Sequence, residues 1–111
     1  MLVKEINCHE LAKWLANEKP PVLIDVRTLP EMAQASIPNG KPLPLSLLPL
    51  RIEEIPKNEP VVFYCRTGAR SGQACMYMAQ HGYHNVYNLH GGIVSWAHHG
   101  FPIVPMNVSM S

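Results

Sequence analysis

The chain has 111 residues, of which nine are basic and eight acidic, for a formal net charge of +1; 47% are hydrophobic and 15% charged. This length suits one domain burying roughly 65% of the surface its unfolded chain exposes, and the composition is that of a globular protein. Nearly balanced charge excludes a whole-molecule field for nucleic acid or an anionic membrane, so any preference for anions must be local.

No run approaches the ~20 consecutive apolar residues of a membrane-spanning helix. The start, Met1-Leu2-Val3-Lys4-Glu5, lacks a basic stretch followed by an apolar one, so no signal peptide is expected. Three cysteines are too few, and odd in number, for a disulfide scaffold, which points to a reducing compartment. The expected location is the cytoplasm.

In chain order, Asn7-Cys8-His9-Glu10 has the form of a capping box, with Asn7 as cap and Glu10 reaching back. Leu11, Trp14 and Leu15 follow at helical spacing, which predicts a first helix over residues 8–18, stopped before Pro20-Pro21. Val22-Leu23-Ile24-Asp25-Val26 is a short apolar run bounded by proline and charge. Val61-Val62-Phe63-Tyr64 and Val86-Tyr87-Asn88-Leu89 are two more. Such unalternating runs suit central parallel strands covered on both faces.

The stretch from Gly40 to Pro60 is proline-rich and irregular, with a short helix expected near Ser46–Ile52. Between the last two strands, Ala69 to His81 reads as a helix burying Ala74, Met78 and Ala79, with Gly82 as its stop. A short helix over Ile93–His98 and an extended Phe101–Val104 complete the domain, assigned to residues 1–105. Residues 106–111 are expected to fray. The eleven prolines fall almost wholly between these segments and punctuate them. The expected architecture is α/β, a single domain with a mainly parallel sheet and helices on both faces.

Cys65-Arg66-Thr67-Gly68-Ala69-Arg70-Ser71 links the second strand directly to the long helix. In open α/β sheets ligands bind beyond the carboxyl ends of the strands, and Cys65 stands at such an end. The helix start aims unpaired N–H groups and partial positive charge at the loop. A loop curled around the sulfur adds further backbone N–H groups, with Gly68 able to take φ > 0 and Arg66 and Arg70 as cations. Each of these favours the thiolate, the reactive form of cysteine. The plainer reading of an isolated cysteine is a buried core thiol. Strand end, glycine, arginines and helix start together favour the nucleophile.

Four segments give the chain a resemblance to the rhodanese superfamily over about residues 3 to 103. Leu23-Ile24-Asp25-Val26-Arg27 with Glu31 resembles the family's Asp-Val-Arg segment and its following acid. Ile37-Pro38-Asn39-Gly40 with Pro44-Leu45 resembles the next landmark, although Ala35-Ser36 stands where many relatives have Gly-His. Cys65 to Ser71 resembles the active-site loop. Asn85 to Ile93, with Gly91-Gly92 and Trp96, resembles the C-terminal signature. The resemblance implies a five-stranded rhodanese-like domain and a sulfurtransferase that moves sulfane sulfur through a Cys65 persulfide. The implied donor is a small one such as thiosulfate; the acceptors are a thiol, cyanide or a sulfur-carrier protein. Related phosphatases and arsenate reductases have five residues between cysteine and arginine; the four between Cys65 and Arg70 resemble the sulfurtransferase form. The rival readings are a protein-to-protein persulfide relay with little thiosulfate turnover, and a non-catalytic regulatory module, which the presence of Cys65 disfavours.

On this reading Cys65 is the catalytic residue, and Arg66, Thr67, Gly68, Ala69 and Arg70 line the substrate site. Arg66 is the candidate to bind an anion directly. Arg70 sits in a helix's first turn, where a cation is unfavourable, so it is expected to have a partner. By resemblance that partner is Glu31, and Arg70 either braces the loop or contacts substrate. Asp25 is expected to support the loop by accepting hydrogen bonds from it or from Ser71, without acting as a catalytic acid. Cys75, four residues past Ser71, is expected to be a core thiol pointing away from the loop, and Cys8 to be inert. Trp14 and Trp96 read as core or edge aromatics. Of six histidines only His81, His84 and His90 are loosely grouped, with no carboxylate or thiol at ligand spacing, so no metal or other cofactor is expected.

Overall fold

A computed structural model describes residues 2–105; the expected frayed tail, 106–111, lies outside the described residues. Five strands form one sheet: β1 (Glu5–Ile6), β2 (Val22–Asp25), β3 (Lys41–Pro42), β4 (Val61–Tyr64) and β5 (Val86–Leu89), in the order β1-β5-β4-β2-β3. Every neighbouring pair is parallel. The three apolar runs are thus the three central strands, and β1 and β3 are two-residue edges. Among the described residues antiparallel pairing is confined to an isolated bridge between Ser36 and Val104.

Parallel strands need crossovers, and these cover both faces of the sheet. The alternation along β4 shows the division. Val61, Phe63 and Cys65 pack with Ala74 and Met78 of α3 (Ala69–Gln80) and with Leu48. Val62 and Tyr64 face the opposite side, with Leu11 of α1 (Cys8–Leu15) and Trp96. Ile93 and Trp96 on that side belong to the last helix, Gly92–His98. All four β4 residues are buried, as a strand covered on both faces requires. Each such apolar side chain contributes about 1.5–3 kcal/mol by leaving water. The radius of gyration, 13.0 Å, is that of one compact domain of this size. Among the described residues no helix is long and apolar enough to cross a membrane.

Two boundaries differ from the sequence expectation. The first helix ends at Leu15 rather than residue 18: the Ala16 N–H bonds Lys13 O at 3.3 Å and the Asn17 N–H bonds Trp14 O at 3.1 Å. These are tight last-turn closures, and residues 17–19 have no apolar side chain to bury. Its start is the expected capping box, with Asn7 Oδ1 accepting from the Glu10 N–H and Glu10 Oε1 from the Asn7 N–H, both at 2.8 Å. The helix expected near Ser46–Ile52 is two 3-10 turns, Leu45–Leu50 and Ile52–Glu54. Pro49 has no N–H for an α-helical ladder, so tighter turns take its place. A further short helix, α2 (Leu29–Gln34), is capped at Thr28 by Glu31; the Gly92–His98 helix is therefore α4. Ala79, expected to be buried, is only half-buried; Ser71 and Cys75 complete α3's buried face.

Tyr64 ties β4 to the segment before β3: its fully buried hydroxyl accepts the Ile37 N–H at 3.0 Å. Tyr64→Phe leaves that N–H without a partner at a site closed to water, which costs about 1–3 kcal/mol. Urea unfolding monitored by circular dichroism should show the lower midpoint with an unchanged slope.

Candidate active site

β4 delivers Cys65 to the carboxyl edge of the sheet, and the chain turns at once into α3 through Gly68. That glycine is the N-cap and has φ +111°, a conformation that side-chain-bearing residues rarely adopt. The turn folds the loop over the sulfur. The Gly68 N–H donates to Cys65 Sγ at 3.1 Å, and the Ser71 hydroxyl oxygen lies 3.3 Å from the same atom. Cys65 is 1% exposed, so its sulfur is enclosed beneath the loop.

Burial alone pushes the Cys65 thiol up. Backbone N–H groups of Ser71, Gly68 and Thr67, together with the Ser71 hydroxyl whenever it turns its proton to the sulfur, outweigh it, and the thiol is held below its ordinary value. Cys75 shows burial without such donors. It lies in the α3 core, pushed up to about 12, and is a packed thiol as expected. Hydrogen-bond donors around the sulfur are therefore what distinguish the two cysteines.

The other side of the loop is gripped by the start of α4. The Ile93 N–H donates to the Cys65 carbonyl at 3.0 Å and the Val94 N–H to the Arg66 carbonyl at 3.1 Å. Both carbonyls are thus turned toward α4. The approach is so close that a Cβ on Gly92, whose φ is +59°, would lie 2.4 Å from Arg66 O and 2.6 Å from Cys65 O. The Gly91-Gly92 pair, read in sequence only as a landmark, is the seat on which the loop rests.

Arg70 donates to Glu31 through two parallel bonds, Nη1 to Oε1 at 2.7 Å and Nη2 to Oε2 at 2.9 Å. The pair joins the start of α3 to α2. Arg70 holds the Glu31 carboxyl well below the usual carboxylate range, although partial burial works against it. Arg66 is exposed, and among the described residues no carboxylate forms a salt bridge with it. It edges a shallow depression of about 210 Å³ whose walls include Ile93, Val94, Ala97 and Ile103. Thr67 and Ala69 are also exposed at the loop rim.

Asp25 does not support the loop in the expected way. Its carboxylate is taken by Arg27: Nη2 to Oδ2 is 2.7 Å, Nε to Oδ1 is 3.0 Å, and the Arg27 N–H donates to Oδ1 at 3.0 Å. Both residues are buried, and Arg27 Nη2 also reaches the Ala35 carbonyl at 2.7 Å. A buried guanidinium requires such partners, so Asp25 neutralises Arg27. Ser71 turns instead to Asn88 of β5, whose Oδ1 is 2.5 Å from the Ser71 hydroxyl oxygen. Sequence reasoning missed Asn88; the available signal was a polar side chain inside a run otherwise suited to a covered strand.

The histidine grouping also differs. Among the described residues the set that converges is Cys8, His9 and His99, with one ligand-type atom from each within 4.8 Å of the others. His99 Nδ1, 3.5 Å from Cys8 Sγ, is 2.8 Å from the Ser95 carbonyl and so carries the proton.

Residues 7–99 match the rhodanese-like domain family, and the chain belongs to that family. A sulfurtransferase of Allochromatium vinosum is 52% identical over 103 residues, covering 93% of this chain and 96% of that protein. Thiosulfate sulfurtransferase GlpE of Coxiella burnetii is 32% identical over 100 residues, covering 89% and 92%. Among solved structures, a rhodanese-related protein from Thermoplasma volcanium superposes with a TM-score of 0.83 at 29% identity, over 91% of this chain and 97% of that one.

Two tests address this geometry. Gly92→Ala should cost about 2–5 kcal/mol, from backbone strain and overlap with the loop carbonyls together. An unchanged unfolding midpoint would mean that the loop does not rest there. For Glu31 the folded value lies below the ordinary one, so its contribution is present above the ordinary carboxylate range and is lost as pH falls through the folded value. The stability difference between the protein and Glu31→Gln should therefore shrink as pH falls from about 5 toward about 2. With the pair's side chains 35% and 30% exposed, solvent screening limits that difference to about 1 kcal/mol. Urea midpoints across that pH range check it.

Proposed function

We propose that the protein is a sulfurtransferase that carries sulfane sulfur on Cys65 as a persulfide, with thiosulfate as a competent donor. The observation that carries this reading is the set of donors around one enclosed sulfur: the Gly68 N–H at 3.1 Å, with further N–H groups from Thr67 and Ser71. These groups stabilise an anion on sulfur, whether thiolate or persulfide.

In the first step the Cys65 thiolate attacks the outer sulfur of thiosulfate. A Cys65–sulfur bond forms, the sulfur–sulfur bond of the donor breaks, and its electron pair leaves with sulfite. Charge is conserved: a monoanion and a dianion give persulfide monoanion and sulfite dianion. In the second step an acceptor thiolate or cyanide attacks the outer sulfur of the persulfide and Cys65 leaves as thiolate. Sulfite and thiolate are stable leaving groups, so neither step calls for a general acid, in keeping with Asp25 being committed to Arg27.

Loop length supports sulfur over phosphate. With Cys65 enclosed to 1%, the loop suits a single projecting atom better than a tetrahedral oxyanion. Arg70, which would otherwise be placed to clamp such an oxyanion, is held by both carboxylate oxygens of Glu31. Arg66 is the cation left at the rim for an anionic donor. The depression beside Arg66, walled by Ile93, Val94, Ala97 and Ile103 as well as by Arg27, Glu31 and Gln34, supports one second reading, a relay in which another protein presents its cysteine to Cys65.

Intact mass measured after incubation with thiosulfate should show a gain of one sulfur, ~32 Da, removed by cyanide and absent in Cys65→Ser. Sulfur on Cys8 or Cys75 instead would overturn the assignment. Persulfide formation with negligible steady-state thiosulfate:cyanide turnover would select the relay.

A further inference from the structure

We propose that Asn88 is a positioning residue for Cys65: by fixing where the single Ser71 hydroxyl proton points, it sets the balance between thiol and thiolate.

Asn88 is 2% exposed and sits in β5 directly beneath the loop. Its side-chain NH2 lies 3.1 Å from Glu5 Oε2 and 3.1 Å from the Gly68 carbonyl oxygen. Both neighbours only accept, so both amide hydrogens are used and the orientation of the amide is fixed. Asn88 Oδ1 must then be the atom facing the Ser71 hydroxyl, 2.5 Å away. An amide oxygen cannot donate, so the Ser71 proton points to Asn88.

Ser71 is completely buried and has only that proton to give. Its oxygen nevertheless lies 3.3 Å from Cys65 Sγ as well. While Cys65 is a thiol the arrangement is consistent throughout: S–H donates to Ser71, Ser71 donates to Asn88, and Asn88 donates to Glu5 and Gly68. Once Cys65 loses its proton, sulfur needs the Ser71 hydrogen that Asn88 holds. One acceptor must go without, and an unsatisfied buried acceptor is costly. Asn88 therefore opposes ionisation of Cys65, against the backbone N–H groups that favour it. The chain continues outward, since Glu5 Oε1 is 3.2 Å from Nδ1 of the exposed His90.

The charged groups on the elements around the loop are few. Arg66 and Arg70 belong to it, Glu31 of α2 is paired with Arg70, and Asp25 and Arg27 of the β2 edge neutralise each other. Glu5 reaches Asn88 from β1, and His90 stands behind Glu5. None of these supplies or withdraws the Ser71 proton, so an effect passing through that hydroxyl is separable from theirs.

The measurement is the rate of Cys65 alkylation by iodoacetamide as a function of pH, with peptide mass resolving Cys65 from Cys8 and Cys75. Asn88→Leu removes the acceptor and frees the hydroxyl for sulfur. Its midpoint should fall by about half to one unit, a threefold to tenfold larger thiolate fraction at fixed pH below it. Asn88→Asp keeps an oxygen facing Ser71 and adds negative charge, so its midpoint should stay or rise. A simple packing defect would move both variants the same way. In a Ser71→Ala background Asn88→Leu should have no further effect, because the shared proton is gone. An Asn88→Leu midpoint that is unchanged or raised, or a fall that persists without the Ser71 hydroxyl, overturns the proposal.

If Asn88→Leu does not fold, the unmodified protein still decides. The Asn88 side-chain amide resonances should shift with the Cys65 midpoint and stay fixed in Cys65→Ser; resonances indifferent to Cys65 ionisation overturn it. The proposal rests on Cys65 as the reactive thiol, but alkylation reads that thiol and not sulfur transfer. A Cys65 that titrates as described yet takes up no sulfur would overturn the transfer reading and leave this one standing.

Discussion

The carbonyl groups of Cys65 and Arg66 are held by the first N–H groups of α4, from Ile93 and Val94, at 3.0 and 3.1 Å. A peptide unit carries its N–H and its carbonyl on opposite sides, so a loop whose carbonyls are fixed outward can turn its N–H groups inward. Gly92 makes this possible, because a Cβ there would meet both carbonyl oxygens. The loop around Cys65 is thus shaped from outside, by the backbone N–H groups that open α4. Removing that seat would leave the same residues in the loop without a common direction.

Given that geometry, the electrostatics follow from the small scale of the site. A net charge of +1 supplies no field, and both cations of the loop could in principle serve an anion. The structure divides their work. Arg70 is fixed to Glu31 and links the start of α3 to α2, while Arg66 stays exposed at the rim. The sulfur itself is served by neutral donors, which stabilise charge without the desolvation cost of bringing a second ion into the core. Cys75, buried in the same core without donors, is pushed the opposite way.

Much of this was legible in the sequence, and for physical reasons. Val61–Tyr64 and the helix after it announce themselves by apolar runs and by Gly82, and Cys65 stands where strand meets helix. The unfavourable placement of Arg70 in a first helical turn called for a partner, which proved to be Glu31. The edge strands β1 and β3 were not legible, since two residues carry no periodicity. From its place at a strand end, Asp25 reads in the sequence as an acceptor for the loop or for Ser71. The competing demand was Arg27, whose buried guanidinium has first claim on the nearest carboxylate. The approach of Cys8 and His99 is set by the crossing of α1 and α4, which no spacing within either segment encodes.

Asn88 links β1, the loop and α3. It occupies a central strand where an apolar side chain would pack well, and its burial is tolerated because every polar atom on it finds a partner. Those partners come from β1, from the loop glycine and from the first turn of α3, so one amide registers three elements against each other. The same saturation makes the site responsive to charge on sulfur. A fully matched set of donors and acceptors has no spare proton, and a change of protonation at Cys65 must be answered by rearrangement at Ser71 and Asn88.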